Sequence, residues 1–118
     1  MAKFLLLLHD TPGDTEQISP DQIQGIIAEY VAWRRKIETM DKLVGGEKLT
    51  DDGGQELSLV DGELRVVDGP YSEAKEVVGG YFMIEAEDYA EAVALSRDCP
   101  HLKYGSRIEL RQVDDVHA

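Results

Sequence analysis

Side chains that could do chemistry fall at separated places in the chain. His9 and Asp10 close an aliphatic run, Phe4–Leu8, and an aspartate at the end of a buried strand is a candidate general base. Tyr30 and Arg34 lie in an amphipathic stretch. Tyr30, or else His9, could act as the acid, and the Arg34 guanidinium is a rigid fork suited to a carboxylate or phosphate. Farther along, Asp68-Gly69-Pro70-Tyr71 precedes Lys75. A helical turn at 71–76 would bring Tyr71 and Lys75 to one side at i, i+4 spacing, on the rim of a pocket with Asp68. Asp10, His9 and Tyr30 as acid–base groups, with Arg34, Asp68, Tyr71 and Lys75 as ligand contacts, describe proton transfer on a small anionic molecule. Isomerisation or addition–elimination without a cofactor is the matching reaction class.

Most of these residues also have an ordinary structural reading. Arg34 can cover apolar surface with its stem while its head reaches water or an acid. Asp68-Gly69-Pro70 can be a rigid corner, and Tyr30 and Trp33 can be core. His101 and His117 read as a loop and a tail residue. The chain has no Cys/His cluster of zinc spacing. Asp51-Asp52-Gly53-Gly54 fails the calcium-loop pattern, with Gly54 and Leu57 where a ligand and a glycine are needed. Gly79-Gly80 lacks the phosphate-loop Lys-Ser/Thr. Cys99, beside Pro100, reads as packing. No metal or cofactor is expected.

The elements that must position these groups follow from periodicity. Residues 2–9 read as a buried strand. Ser19-Pro20-Asp21 is a helix start, with a hydroxyl cap, proline at the first position and an acid on the positive dipole end. The helix is predicted from Pro20 to Lys42, stopped by Gly45-Gly46, with Ile23, Ile26, Ile27, Tyr30, Trp33, Ile37 and Met40 on its buried side. Arg34 falls on that apolar side. Glu47–Thr50 reads as a short edge strand. Residues 57–60 and 64–67 flank Asp61-Gly62-Glu63 as a β-hairpin. Residues 77–84 are the strongest strand, their glycines marking a bulge or a close approach. Asp88…Glu91 opens a second helix with Tyr89, Ala92, Val93, Ser96 and Cys99 buried, and 106–113 is the last strand. Without the hairpin the order is βαββαβ: an α+β, ferredoxin-like antiparallel sheet with two helices on one face. The other face is apolar enough to need cover, which predicts a homodimer.

Composition sets the outer bounds. The 118 residues make one domain, 1–118, and 24 acidic against 12 basic residues give a net charge of −12. That charge argues against nucleic acid or an anionic membrane as partner. A single cysteine fits a reducing cytoplasm, and the N-terminal aliphatic run is too short for a signal peptide or a span.

The segment Val67-Asp68-Gly69-Pro70-Tyr71 through Gly79-Gly80-Tyr81 resembles the DGPF signature of the YCII-related proteins, with Tyr71 in place of phenylalanine. Gly80–Ala86, Asp88…Glu91-Ala92, Cys99-Pro100, the first strand ending in Asp10 and Leu43–Leu49 match in the same order. The resemblance implies a dimeric α/β-barrel fold, bacterial and cytoplasmic, and a pocket holding a histidine and an aspartate. Asp10 matches that aspartate. The first-helix histidine is missing, and Glu29 or Tyr30 stands in its place. Because such proteins often accompany sigma-factor genes, the resemblance also implies a second reading, a non-catalytic binding or regulatory module with a sigma-factor-linked partner.

Overall fold

The computed structural model describes residues 1–11, 18–69 and 76–115. Nine elements follow one another: β1 (Ala2–Asp10), α1 (Pro20–Thr39), β2 (Leu43–Lys48), β3 (Gln55–Val60), β4 (Glu63–Asp68), β5 (Val77–Ala86), α2 (Tyr89–Ser96), α3 (Pro100–Lys103) and β6 (Arg107–Gln112). Four strands form an antiparallel sheet in the order β2-β5-β1-β6, the split-βαβ plan. Strands β3 and β4 make a separate two-stranded sheet. The expected ferredoxin-like architecture with an inserted hairpin is the one observed.

Alternation along β1 sorts its side chains. Phe4, Leu6 and Leu8 are buried beneath the helices, while Leu5 and Leu7 lie on the opposite face. From β5, Phe82, Ile84 and Ala86 join the first set, and Trp33, Ile37, Ala92 and Cys99 pack down on them. Trp33 meets Phe82 edge-on with ring centroids 4.9 Å apart. Its indole N–H is satisfied by the Leu95 carbonyl and Asp98, at 3.3 and 3.2 Å, so the ring can be buried without an orphaned donor.

Helix α1 starts as predicted. Ser19 Oγ accepts from Gln22 N–H, and the Gln22 side chain accepts in return from Ser19 N–H. It ends earlier than predicted, because Asp41 takes a left-handed φ of 59°. Gly45-Gly46 therefore lies inside β2, which begins at Leu43 rather than Glu47. Gly46 is needed there: a Cβ would sit 2.5 Å from the Phe82 ring and 2.9 Å from the Tyr81 carbonyl. The burial forecast for α1 holds fully only at Trp33 and Ile37. Ile27 is exposed, and so is Met40, which caps the C-terminal end of the helix. Likewise Tyr89 and Val93 of α2 are exposed; Tyr89 lies edge-on to Phe4, and its hydroxyl accepts from Gln112 N–H.

The hairpin turn takes left-handed φ at Asp61 (52°) and Gly62 (82°), the geometry that matches strand twist. Every residue of β3 and β4 is exposed. Leu57, Leu59, Leu64 and Val66 share one face by register. Among the described residues no helix is long and apolar enough to cross a membrane.

Stability should therefore divide by location. Ile37→Ala, at a site with 0% exposure, should cost about 2–5 kcal/mol. Leu59→Ser, at 72% exposure, should change the urea unfolding free energy by less than about 0.5 kcal/mol. Equal losses for the two variants would contradict this assignment of the core.

Candidate functional site

A cavity of about 430 Å³ lies between the sheet and the N-terminal half of α1. Ile23, Ile26, Ile27 and Val31 face it from the helix, Leu8 and Phe82 from the sheet, and Asp10, Tyr30 and Arg34 supply polar atoms. This explains the exposed half of the apolar helix face: those isoleucines line a void instead of the core.

Alternation puts Asp10 on the same sheet face as Leu8, and a slip in the β1–β5 ladder makes room for its carboxylate. Leu8 pairs with Gly80 and His9 with Val78, leaving Gly79 as the extra residue of a bulge. A Cβ on Gly79 would land on the Asp10 carboxylate, so the missing side chain makes the space the carboxylate fills. The forecast that these glycines mark a bulge or a close approach is met on both counts.

The Tyr30 hydroxyl is 2.8 Å from His101 Nδ1, and His101 Nε2 is 2.7 Å from the His9 carbonyl. The same Nε2 is 3.8 Å from Asp10 Oδ1. His101 is buried at 3% exposure, which corrects its reading as a loop residue. It sits on α3, which Pro100 opens after Ser96. Sequence spacing could not reveal it, because Asp10, Tyr30 and His101 meet only through the fold. The one available signal was its position beside Cys99-Pro100, in a passage that matches the family pattern.

Other expectations need correction. The His9 imidazole lies on the opposite sheet face, 3.1 Å from Glu109 and 3.9 Å from Glu76. Alternation puts it on the far side from Asp10, so it is no acid for this cavity; its contribution is its carbonyl. Asp68 pairs with Gln55 in the separate hairpin sheet and is exposed, so it is no part of the cavity lining. Gly69 N–H donates to the Gly54 carbonyl at 2.9 Å, as the rigid-corner reading requires. Tyr71 and Lys75 lie outside the described residues. Arg34 combines its two readings: it lines the cavity, and one guanidinium N–H donates to the Gly46 carbonyl at 3.0 Å. Glu29 pairs instead with Lys103 at 2.9 Å, which holds its carboxyl below the usual range.

Burial first, then the nearby charges of Cys99 and Asp10, raises the Tyr30 phenol above its ordinary range. Tyr30 therefore stays protonated at neutral pH and can donate. Burial also pushes the Cys99 thiol up to about 11, which makes it a packing residue rather than a nucleophile.

The YCII-related domain family profile matches residues 2–115. The chain belongs to the YCII-related family. No curated protein matches it. Among solved structures, it is similar to 5-chloro-2-hydroxyhydroquinone dehydrochlorinase (TftG) from Burkholderia phenoliruptrix, described in complex with 2,5-dihydroxybenzoquinone. The TM-score is 0.55 at 19% identity, covering 95% of this chain and 93% of that one. At that identity the likeness establishes a shared fold.

Because the native Tyr30 phenol resists ionisation, the unfolded chain should release this proton first as pH rises. Tyr30 then favours unfolding above the ordinary tyrosine value of about 10 and has no such effect below it. Urea titrations should show stability falling through that alkaline window, with a shallower fall in Tyr30→Phe. Identical slopes in the two proteins would contradict the placement of Tyr30.

Proposed function

We propose that this YCII-related protein is a cytoplasmic, cofactor-independent enzyme that performs acid–base chemistry on a small, largely apolar molecule. The observation that carries this reading is the aliphatic cavity with Asp10 and Tyr30 at one end. Such a space suits a ring-sized ligand whose few oxygens meet the polar end.

Asp10 is the base. Its carboxylate reaches the cavity beside Gly79 and can take a proton from a carbon or hydroxyl of the ligand. Tyr30 is the acid, able to hydrogen-bond an oxygen on which charge develops or to protonate a departing group. Arg34, anchored to Gly46, stands where it can steady negative charge. Abstraction of one proton and return or loss of another describes isomerisation or elimination. Dehydrochlorination, the activity in the name of the structural neighbour, is an elimination. The aliphatic lining shifts the expected ligand from a strongly charged anion toward a neutral or weakly acidic ring, because transferring a full charge there is costly.

A homodimer fits the same reading. Leu5, Leu7, Tyr81 and Met83 lie on the open sheet face, with His9, Arg107, Glu109 and Arg111 beside them. An apolar centre edged by both charges is self-complementary in a two-fold contact. Leu7→Glu should convert a dimer to a monomer in sedimentation equilibrium. A wild type that sediments as a monomer at micromolar concentration would contradict the dimer.

The activity is tested by screening hydroxyquinols and enolisable cyclic ketones for turnover. Asp10→Asn should lower kcat/KM by at least about a hundredfold while leaving thermal unfolding nearly unchanged. Turnover that survives this substitution would overturn the assignment of the base. Binding without turnover of any such compound would favour a non-catalytic binding module.

A further inference from the structure

The bond pattern around His101 has a consequence for what the cavity can recognise. The His9 carbonyl can only accept a hydrogen bond, so His101 Nε2, 2.7 Å away, carries hydrogen whether the ring is neutral or charged. The charge state therefore changes only Nδ1, the atom 2.8 Å from the Tyr30 hydroxyl.

With a neutral ring, Nδ1 is a bare acceptor and Tyr30 turns its O–H toward it. The phenol oxygen then offers the cavity a lone pair. With a charged ring, Nδ1–H donates to the phenol oxygen, and the Tyr30 hydrogen is released toward the cavity. One proton, held on a residue that does not line the cavity, reverses the hydrogen-bonding sense of a residue that does.

We propose that His101 is a positioning and specificity-determining residue: protonated, it makes Tyr30 a donor that selects ligands presenting a carbonyl or oxyanion, and neutral, it makes Tyr30 an acceptor that selects ligands presenting a hydroxyl. This rests on reading the cavity under α1 as the ligand pocket.

The groups around the imidazole fit such a switch. On β1, Asp10 Oδ1 lies 3.8 Å from Nε2. On α1, Tyr30 is neutral, and the Glu29 charge is matched by Lys103 of α3 at 2.9 Å. Asp98, before α3, is held by Lys36 and by the Trp33 N–H. Cys99 beside it stays a thiol, with its pKa near 11. Tyr104, which caps α3, is also held in its protonated form, chiefly by a hydrogen bond with Glu29. The carboxylate that approaches the imidazole is Asp10, which also lines the cavity.

The test compares two neutral, ring-sized probes, acetophenone, which only accepts, and phenol, which can donate. Their affinities are measured by calorimetry between about pH 5 and 8, where histidine titrates. Because both are uncharged, the ratio of their affinities reports the sense of Tyr30 rather than net charge. The ratio should shift by about tenfold toward phenol as pH rises. It should be flat with pH in Tyr30→Phe and in His101→Gln, whose amide cannot titrate. A ratio equally pH-dependent in Tyr30→Phe would overturn the proposal, as would a flat ratio in the wild type.

Nitrogen-15 NMR of histidine-labelled wild type, without ligand, keeps the two claims separable and needs no variant to fold. The neutral His101 ring should carry its hydrogen on Nε2, the atom that faces the His9 carbonyl. A neutral ring with its hydrogen on Nδ1 would overturn the proposal whatever binds. If the NMR holds but neither probe binds, the pocket reading fails while the His101–Tyr30 switch stands.

Discussion

The cavity end of this fold depends on one buried contact, the His101 imidazole between α1 and β1. Nδ1 meets Tyr30 on the helix, and Nε2 meets the backbone of the first strand, both at hydrogen-bond distance. Farther along α1, Trp33 and Ile37 pack into the core. Ahead of Tyr30, however, the helix faces the sheet across open space lined by isoleucine. A half-filled interface of this kind loses dispersion contacts, so it needs an anchor beside the void. His101 provides one from an element of only four residues. The bond also satisfies a polar ring that would otherwise be costly to bury.

The sheet supplies the complementary constraint. A bulge at Gly79 shifts the β1–β5 register between Leu8 and His9, so that Asp10 pairs with Val77 and lies against Gly79. The absent side chain gives the carboxylate room beneath the helix. Asp10 remains part-exposed, which an ionised carboxylate requires, while standing close to a buried imidazole. The protein's net charge of −12 has little bearing on this arrangement. What matters locally is Asp10 beside His101, with Arg34 on the lining of the same largely aliphatic cavity.

Much of the architecture was legible in the sequence. The strand–helix order, the Ser19 cap, the Asp61-Gly62 turn and the glycine bulge are local features, written in short windows of residue types. Boundaries were less legible: Asp41 ends α1 by adopting a conformation usually left to glycine or asparagine, and the glycine pair expected to stop the helix is inside β2. Burial along α1 was misjudged because periodicity says which face is apolar, but not whether that face meets a sheet or a cavity. Of the site, Asp10, Tyr30 and Arg34 were readable from their places on a strand end and an apolar helix face. His9 was excluded by alternation, a fact already available from its adjacency to Asp10. His101 was not readable, since nothing within ninety residues of Asp10 announces that the two meet. Asp68 fell away because the hairpin forms its own sheet.

The central claim is that the cavity under α1 takes up a small ring beside Asp10 and Tyr30. Backbone amide NMR during titration with 2,5-dihydroxybenzoquinone, the molecule bound by the structural neighbour, tests it most directly. Saturable shifts should concentrate at Asp10, Ile26, Tyr30, Gly79 and Gly80. Shifts confined to the β3–β4 hairpin or to the open sheet face, or no saturable shifts at all, would contradict it.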